Sequence, residues 1–307
     1  MRLQVIDLDG SVACQEPLRR RIDAGEGTCI DAGDLAARLR IVASREAGAG
    51  LLDRLAASGR DGSGPPVYFY GSGDFHHLTA LLLRTVSEPV TVIHFDNHPD
   101  WVQFPATVNC GAWVNRALEL PQIRKVVTIG PCSGDLVRPE WQFANLRAVE
   151  AERIALFPWR HAPSRVWRRY DAAASFRQEG SHLHWRNLAE EDWTEFLDDL
   201  LPAIPTQAVW LTIDKDVLGR GEAVTNWDQG ELTLAHLIAA VERLAAERRI
   251  VGVDVCGDWS EPRFSDPFRA ALAFFDHPPR RRPSAEDLAV NARTNAALIN
   301  CFTQVLP

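Results

Sequence analysis

The chain of 307 residues has no apolar run long enough to cross a bilayer, and its start, Met1 to Asp7, lacks the apolar stretch of an export signal. A soluble, unexported protein is the expectation. Its six cysteines, at 14, 29, 110, 132, 256 and 301, form no CxxC pair and no tight cluster. That excludes a disulfide framework and a structural zinc site as organising features, and it fits a reducing cytoplasm. Positive charge is also in short supply, the net charge being -8. General nucleic-acid binding, which depends on neutralising phosphates, is therefore not expected. There is no internal repeat and no long low-complexity tract. What the chain does have is 46% hydrophobic residues, ample for a sizeable core.

Short apolar runs rich in β-branched residues recur at 3–6, 67–70, 90–95, 126–129, 208–213 and 250–255, the pattern of strands buried on both faces. Helical stretches at 34–43, 51–57, 77–85, 233–248 and 284–305 separate or follow them. The alternation predicts an α/β protein, a three-layer α/β/α domain over 1–307 with a doubly wound, mainly parallel sheet. Residues 131–191, dense in Trp and Arg, read as an elaboration on that core, and 61–66 as a surface turn. Two local basic runs stand out, one at 159–169 containing Arg160, Arg165, Arg168 and Arg169 among Trp159 and Trp167, the other at 280–282. Solvated faces or subunit contacts are the first expectation for both, and a pocket for an anionic group is the second.

In such sheets ligands collect at the carboxyl ends of strands, and the acid-rich motifs fall there. Asp96, His98 and Asp100 follow the run 90–95, Asp214 and Asp216 follow 208–213, and the loop Gly71 to His77 follows 67–70. Alternate residues of an extended segment point the same way, so Asp96, His98 and Asp100 converge if extended geometry persists, as do Asp214 and Asp216. Four carboxylates in one small volume repel one another and resist desolvation. Divalent cations resolve that conflict, and oxygen donors with a few imidazoles suit manganese better than thiolate-loving metals.

The order of these motifs, a Gly-rich loop ending in His, then Asp96-Asn97-His98-Pro99-Asp100, then Asp214-Lys215-Asp216, resembles the arginase and agmatinase family of ureohydrolases. The resemblance implies an arginase-like fold and two manganese ions per chain. One ion would take His76, Asp96, Asp100 and Asp214, and the other Asp96, His98, Asp214 and Asp216. His77 adjoins His76, and either imidazole fits the first position. It also implies hydrolysis of a linear C–N bond in a guanidino or amidino compound such as arginine or agmatine, through a metal-bridging hydroxide oriented by Asp100. A small-molecule substrate and assemblies of three or six chains follow from the same likeness. Trp101 and Asn109 are candidates for contacting the substrate.

Two positions depart from the family pattern. Where family members carry a His-Gly pair that supplies a proton shuttle, this chain has Cys110-Gly111, and a thiol is a poorer shuttle unless its pKa is lowered. After the last strand, where a Glu usually holds the guanidinium, it has Cys256-Gly257-Asp258. Either Asp258 or Glu261 substitutes there, or the substrate is not a guanidine. Three other readings compete. The tandem His76-His77 resembles the paired histidines of deacetylase-like zinc amidohydrolases, and the two departures fit a non-catalytic metal-binding homologue. The segment Val5 to Ser11, with Asp7 and Asp9, looks like the nucleophile motif of haloacid dehalogenase-type phosphatases.

Overall fold

The computed structural model describes residues 1–58, 64–277 and 282–307. The expected turn at 61–66 and the basic run at 280–282 lie in part outside the described residues. Eleven strands are described: β1 (Arg2–Asp7), β2 (Gly27–Asp31), β3 (Pro66–Phe69), β4 (Val90–Phe95), β5 (Ile123–Ile129), β6 (Ile154–Phe157), β7 (Ser164–Arg165), β8 (Phe176–Glu179), β9 (His182–Trp185), β10 (Ala208–Asp214) and β11 (Arg249–Cys256). Eight of them make one sheet in the order β2-β1-β3-β11-β10-β4-β5-β6. Every pairing within it is parallel.

The apolar runs form strands because both faces of the sheet are covered. Along β4, Ile93 and Phe95 join one core cluster with Leu211 and Val253, while Val90 and Val92 join a second cluster on the other face with Tyr68 and Trp210. All seven residues of β10 are buried. Helices close the layers. The helix Leu234–Glu247 buries Leu237, Ala240, Val241 and Leu244, one stripe at helical spacing, and Thr233 caps it by accepting the His236 N–H. The long helix Ala285–Val305 opens with a reciprocal cap between Ser284 and Asp287.

All six expected strands are present, and β2 and β6 were not anticipated. Gly27–Asp31 is largely exposed at the sheet edge, so it lacks the apolar signal. Within 131–191, β7, β9 and β8 form a separate antiparallel sheet. Of the helical stretches, 34–43 stops early, at Leu39, because Arg40 turns extended and Ile41 takes a positive φ. Helices Glu16–Asp23, Trp113–Leu118, Trp193–Leu200 and Pro267–Asp276 are additional. Among the described residues no helix is long and apolar enough to cross a membrane.

The sheet order sets up the site. Between β3 and β4 the chain steps over two places, later filled by β11 and β10. Four adjacent strands, β3, β11, β10 and β4, therefore deliver their carboxyl ends to one region from four separate parts of the sequence.

Candidate metal centre

Extended geometry does not persist past β4. The strand ends at Phe95, and Asp100 adopts a left-handed φ of 47°. Convergence of Asp96, His98 and Asp100 is achieved by a folded loop and not by strand alternation. Likewise Asp214 ends β10, and Lys215–Val217 form a 3-10 turn in which the Asp214 carboxylate accepts the Asp216 N–H at 3.0 Å. After β3, the 3-10 turn Gly73–Leu78 brings in His76.

His76 is the hub. Its Nδ1 lies 2.8 Å from Asp96 Oδ2, 3.4 Å from Asp100 Oδ2 and 3.6 Å from Asp214 Oδ2. On the far side of Asp96, His98 takes over. The His98 N–H donates to Asp96 Oδ1 at 2.6 Å, and its Nδ1 lies 3.0 Å from Asp216 Oδ2 and 3.4 Å from Asp96 Oδ1. Two donor sets sharing Asp96 result, one with His76, His94 and Asp100, the other with His98 and Asp216. A third set joins His76 to Asp214 and Cys256.

Charge in this cluster is strained by burial. Although burial opposes a charged imidazole, Asp96, Asp214 and Asp100 outweigh it and hold His76 up at about 10. Burial also works against Asp96, yet His76, His94 and His98 keep its carboxyl well below the usual range. Asp100 and Asp216 move the opposite way. Burial first, then the negative charge of neighbouring aspartates, raises both well above the ordinary value. Such opposed shifts mark too many carboxylates for the cations at hand. The hard oxygen and imidazole donors suit divalent ions, which bind with release of the protons these groups hold. The residues present fit that role.

Crowding around Asp214 accounts for two glycines. A Cβ on Gly73 would lie 2.5 Å from Asp214 Oδ2, and one on Gly257, at φ +92°, 2.4 Å from Oδ1. Any side chain at either position would push this carboxylate out of place. Asp100 is fixed by Trp113, whose indole Nε1–H donates to Oδ2 at 2.6 Å.

The sequence candidates divide. His76, Asp96, His98, Asp100, Asp214 and Asp216 line one cleft, with Asn109 and Cys110 on its wall. Its volume is about 670 Å³, and Ile41, Val42, Val102, Pro105 and Phe268 give it apolar walls, with Asp135 and Gln142 as polar groups. His77 is buried outside the cleft lining, and burial together with the charge of His76 pushes it down to about 3. Of the tandem pair, His76 faces the carboxylates.

Trp101 and Asp258 are placed elsewhere. Trp101 is a core residue against Trp185, with ring centroids 6.1 Å apart. Asp258 is buried and gripped by Lys215 Nζ at 2.7 Å, with Gln15 Nε2 donating at 2.7 Å. The cause is local. Asp214 and Asp216 line the cleft, while the intervening Lys215 leaves it and holds Asp258. Glu261 is paired with Arg282 and lines a different cavity. Asp7 and Asp9 are also outside the metal cleft, Asp9 accepting from Ser11, Ser72 and Arg40. Arg165 and Trp167 line a surface recess with Arg138 and Trp141.

Three participants were missed. His94 Nε2 lies 2.8 Å from Asp96 Oδ2, and the period-two rule applied to Asp96 and His98 would have included it. Cys256 donates to Asp214 Oδ2 at 3.3 Å, a contact set by the cross-strand register that pairs the two residues. Asp228 lies 2.9 Å from His98 Nε2, and nothing local to the sequence signals it.

Residues 15–257 match the sequence profile of the Arginase family. An arginase from Bacillus cereus superposes with a TM-score of 0.57 at 16% identity, covering 98% of this chain and 97% of its own. A hypothetical agmatinase from Burkholderia thailandensis gives 0.55 at 15% identity, over 99% and 85%. The proclavaminate amidino hydrolase of Streptomyces clavuligerus gives 0.54 at 13% identity, over 96% and 92%. At these identities the likeness is one of fold. A Thermotoga maritima protein named "Uncharacterized protein" is 26% identical over 192 residues, 62% of this chain. That match spans 58% of the relative's length.

Proposed function

The chain belongs to the arginase family, and from that premise we propose that it is a metal-dependent hydrolase of a linear C–N bond, with two manganese ions per chain. The observation that carries the proposal is the set of three carboxylate oxygens within 3.6 Å of His76 Nδ1. His76, Asp96, Asp100 and Asp214 would hold one ion, and Asp96, His98, Asp214 and Asp216 the other. When bound, such ions turn water into a nucleophile near neutral pH and polarise the bond to be broken.

The chain's own groups do the rest. Asp100, anchored by Trp113, orients the attacking water. The apolar walls at Val102, Pro105 and Phe268 exclude bulk water around a substrate stem. Lys215 occupies Asp258, and among the described residues lining the cleft the carboxylate beyond the ligand set is Asp135. It is the group proposed to receive a cationic guanidino or amidino substrate. Cys110 borders the same cleft where relatives carry a shuttle histidine.

The test is metal content per chain, with urea and amine release from a panel of guanidino and amide compounds after manganese loading. Two ions with urea release, and a raised KM in Asp135→Asn, support the reading. One zinc with acyl acid released points to the deacetylase-like alternative, although His77 offers it no support. Two ions with no turnover across the panel points to a non-catalytic homologue.

A further inference from the structure

We infer that Asp228 is a positioning residue that fixes the ring of His98 and so presents Nδ1 to the ion proposed between Asp96 and Asp216. The inference rests on the metal reading above and adds a residue to it.

An imidazole has two nitrogens, and which one is left for an ion is decided by the hydrogen bond the other makes. His98 Nε2 lies 2.9 Å from Asp228 Oδ1. A carboxylate can only accept, so Nε2 keeps a proton toward Asp228, while Nδ1, 3.0 Å from Asp216 Oδ2, faces the metal cluster and is the nitrogen that would give up its proton to an ion. Rotating the ring by half a turn would put Cδ2 and Cε1 where Nδ1 and Nε2 stand and break both contacts.

Asp228 is itself held in place. The Asn97 side-chain amide donates to its Oδ2 and to its backbone oxygen, each at 3.1 Å. Asn97 is buried and tied in turn, its N–H donating to Asp216 Oδ1 at 3.0 Å and its Oδ1 accepting from the Cys132 N–H at 3.0 Å. The Gly230 N–H donates to the Asp216 backbone oxygen at 2.7 Å, which laces this loop to the turn after β10. Trp227 closes the ring's remaining side edge-on, with centroids 5.4 Å apart.

The two proposed ion positions are thus supported differently. His76 Nε2 meets a hydroxyl, Thr212 Oγ1, at 2.8 Å, whereas His98 meets a carboxylate. A carboxylate partner makes an imidazole a stronger donor to metal than a neutral one does. The Asp228 side chain is 51% exposed, so replacing it removes little from the core.

Calorimetric titration of the metal-free full chain with manganese tests this in wild type, Asp228→Ala, Asp228→Asn and Asp228→Glu, alongside thermal melting of each metal-free form. The expected result is two ions in wild type. In the Ala and Asn variants one ion should weaken by ~10- to 100-fold and the other hold its affinity, with partial recovery in Glu and unchanged melting. Wild-type affinity for both ions in Asp228→Ala overturns the inference and leaves the metal reading standing. Equal weakening of both ions, or lowered melting of the metal-free variant, assigns Asp228 a general structural role and also overturns it. A wild type that takes up no ion defeats the metal reading itself, and this inference with it.

Discussion

Asp74 and Asp258 are as buried as Asp96 and Asp216, all four at 1% exposure or less, yet their surroundings differ in kind. Asp74 is bound by Arg40, by the Trp227 indole at 3.0 Å and by His277 at 2.7 Å, and its carboxyl stays at about 2 despite burial. Asp258 has Lys215, itself fully buried. Asp96, Asp100, Asp214 and Asp216 have no Lys or Arg pair among the described ion pairs, only histidines. The first group is neutralised from within the chain and braces the fold. The second is neutralised only in part, which is the condition of a site that takes cations from outside.

Substitutions should therefore act with opposite character in the two groups. Asp96→Asn is expected to cut hydrolysis at least ~10³-fold, about 4 kcal/mol of transition-state stabilisation, and to lower metal content. Kinetics with matched metal analysis checks this, and full activity in the variant would break the comparison. In the companion variant Asp216→Asn the metal-free form should keep or gain stability, because burial and the neighbouring aspartates already disfavour that carboxylate. In the other group, Lys215→Met leaves Asp258 buried without its cation and should cost ~3–5 kcal/mol of stability. Urea unfolding of the metal-free protein reads that loss directly.

Smaller effects sharpen the contrast. Manganese at 100 times its dissociation constant should stabilise the protein by about 2.7 kcal/mol, and a chelator should reverse the gain. No stabilisation by any divalent ion would mean that protons alone relieve the carboxylate cluster. Cys110→Ser lies on the cleft wall, and should change stability by no more than ~0.5 kcal/mol and retain both ions. Loss of metal in that variant, measured by elemental analysis, would move the thiol into the centre.

Much of this arrangement was legible because local patterns carry it. Continuous apolar runs identified the six strands, and the motifs after three of them named all six residues now gathered in the cleft. The family profile over 15–257 and the parallel sheet agree with that reading. Asp96, His98 and Asp100 do gather, but not by the strand alternation expected of them, since β4 ends before them and a left-handed Asp100 makes the turn. Proximity in sequence misled for Trp101 and Asp258. One packs into the core, and the other is captured by a lysine 43 residues away.

The sequence by itself determined the six apolar strands, the order of the ligand motifs and their place at strand ends, because these follow from side-chain periodicity and the polarity of short segments. Tertiary structure alone decided which face of each loop looks inward. It set His76 and not His77 at the hub, sent Lys215 to Asp258, brought Cys256 to Asp214, and put Asp228 against His98. Each of these contacts joins residues on separate elements. Their meeting depends on sheet register and loop packing, which no local pattern encodes.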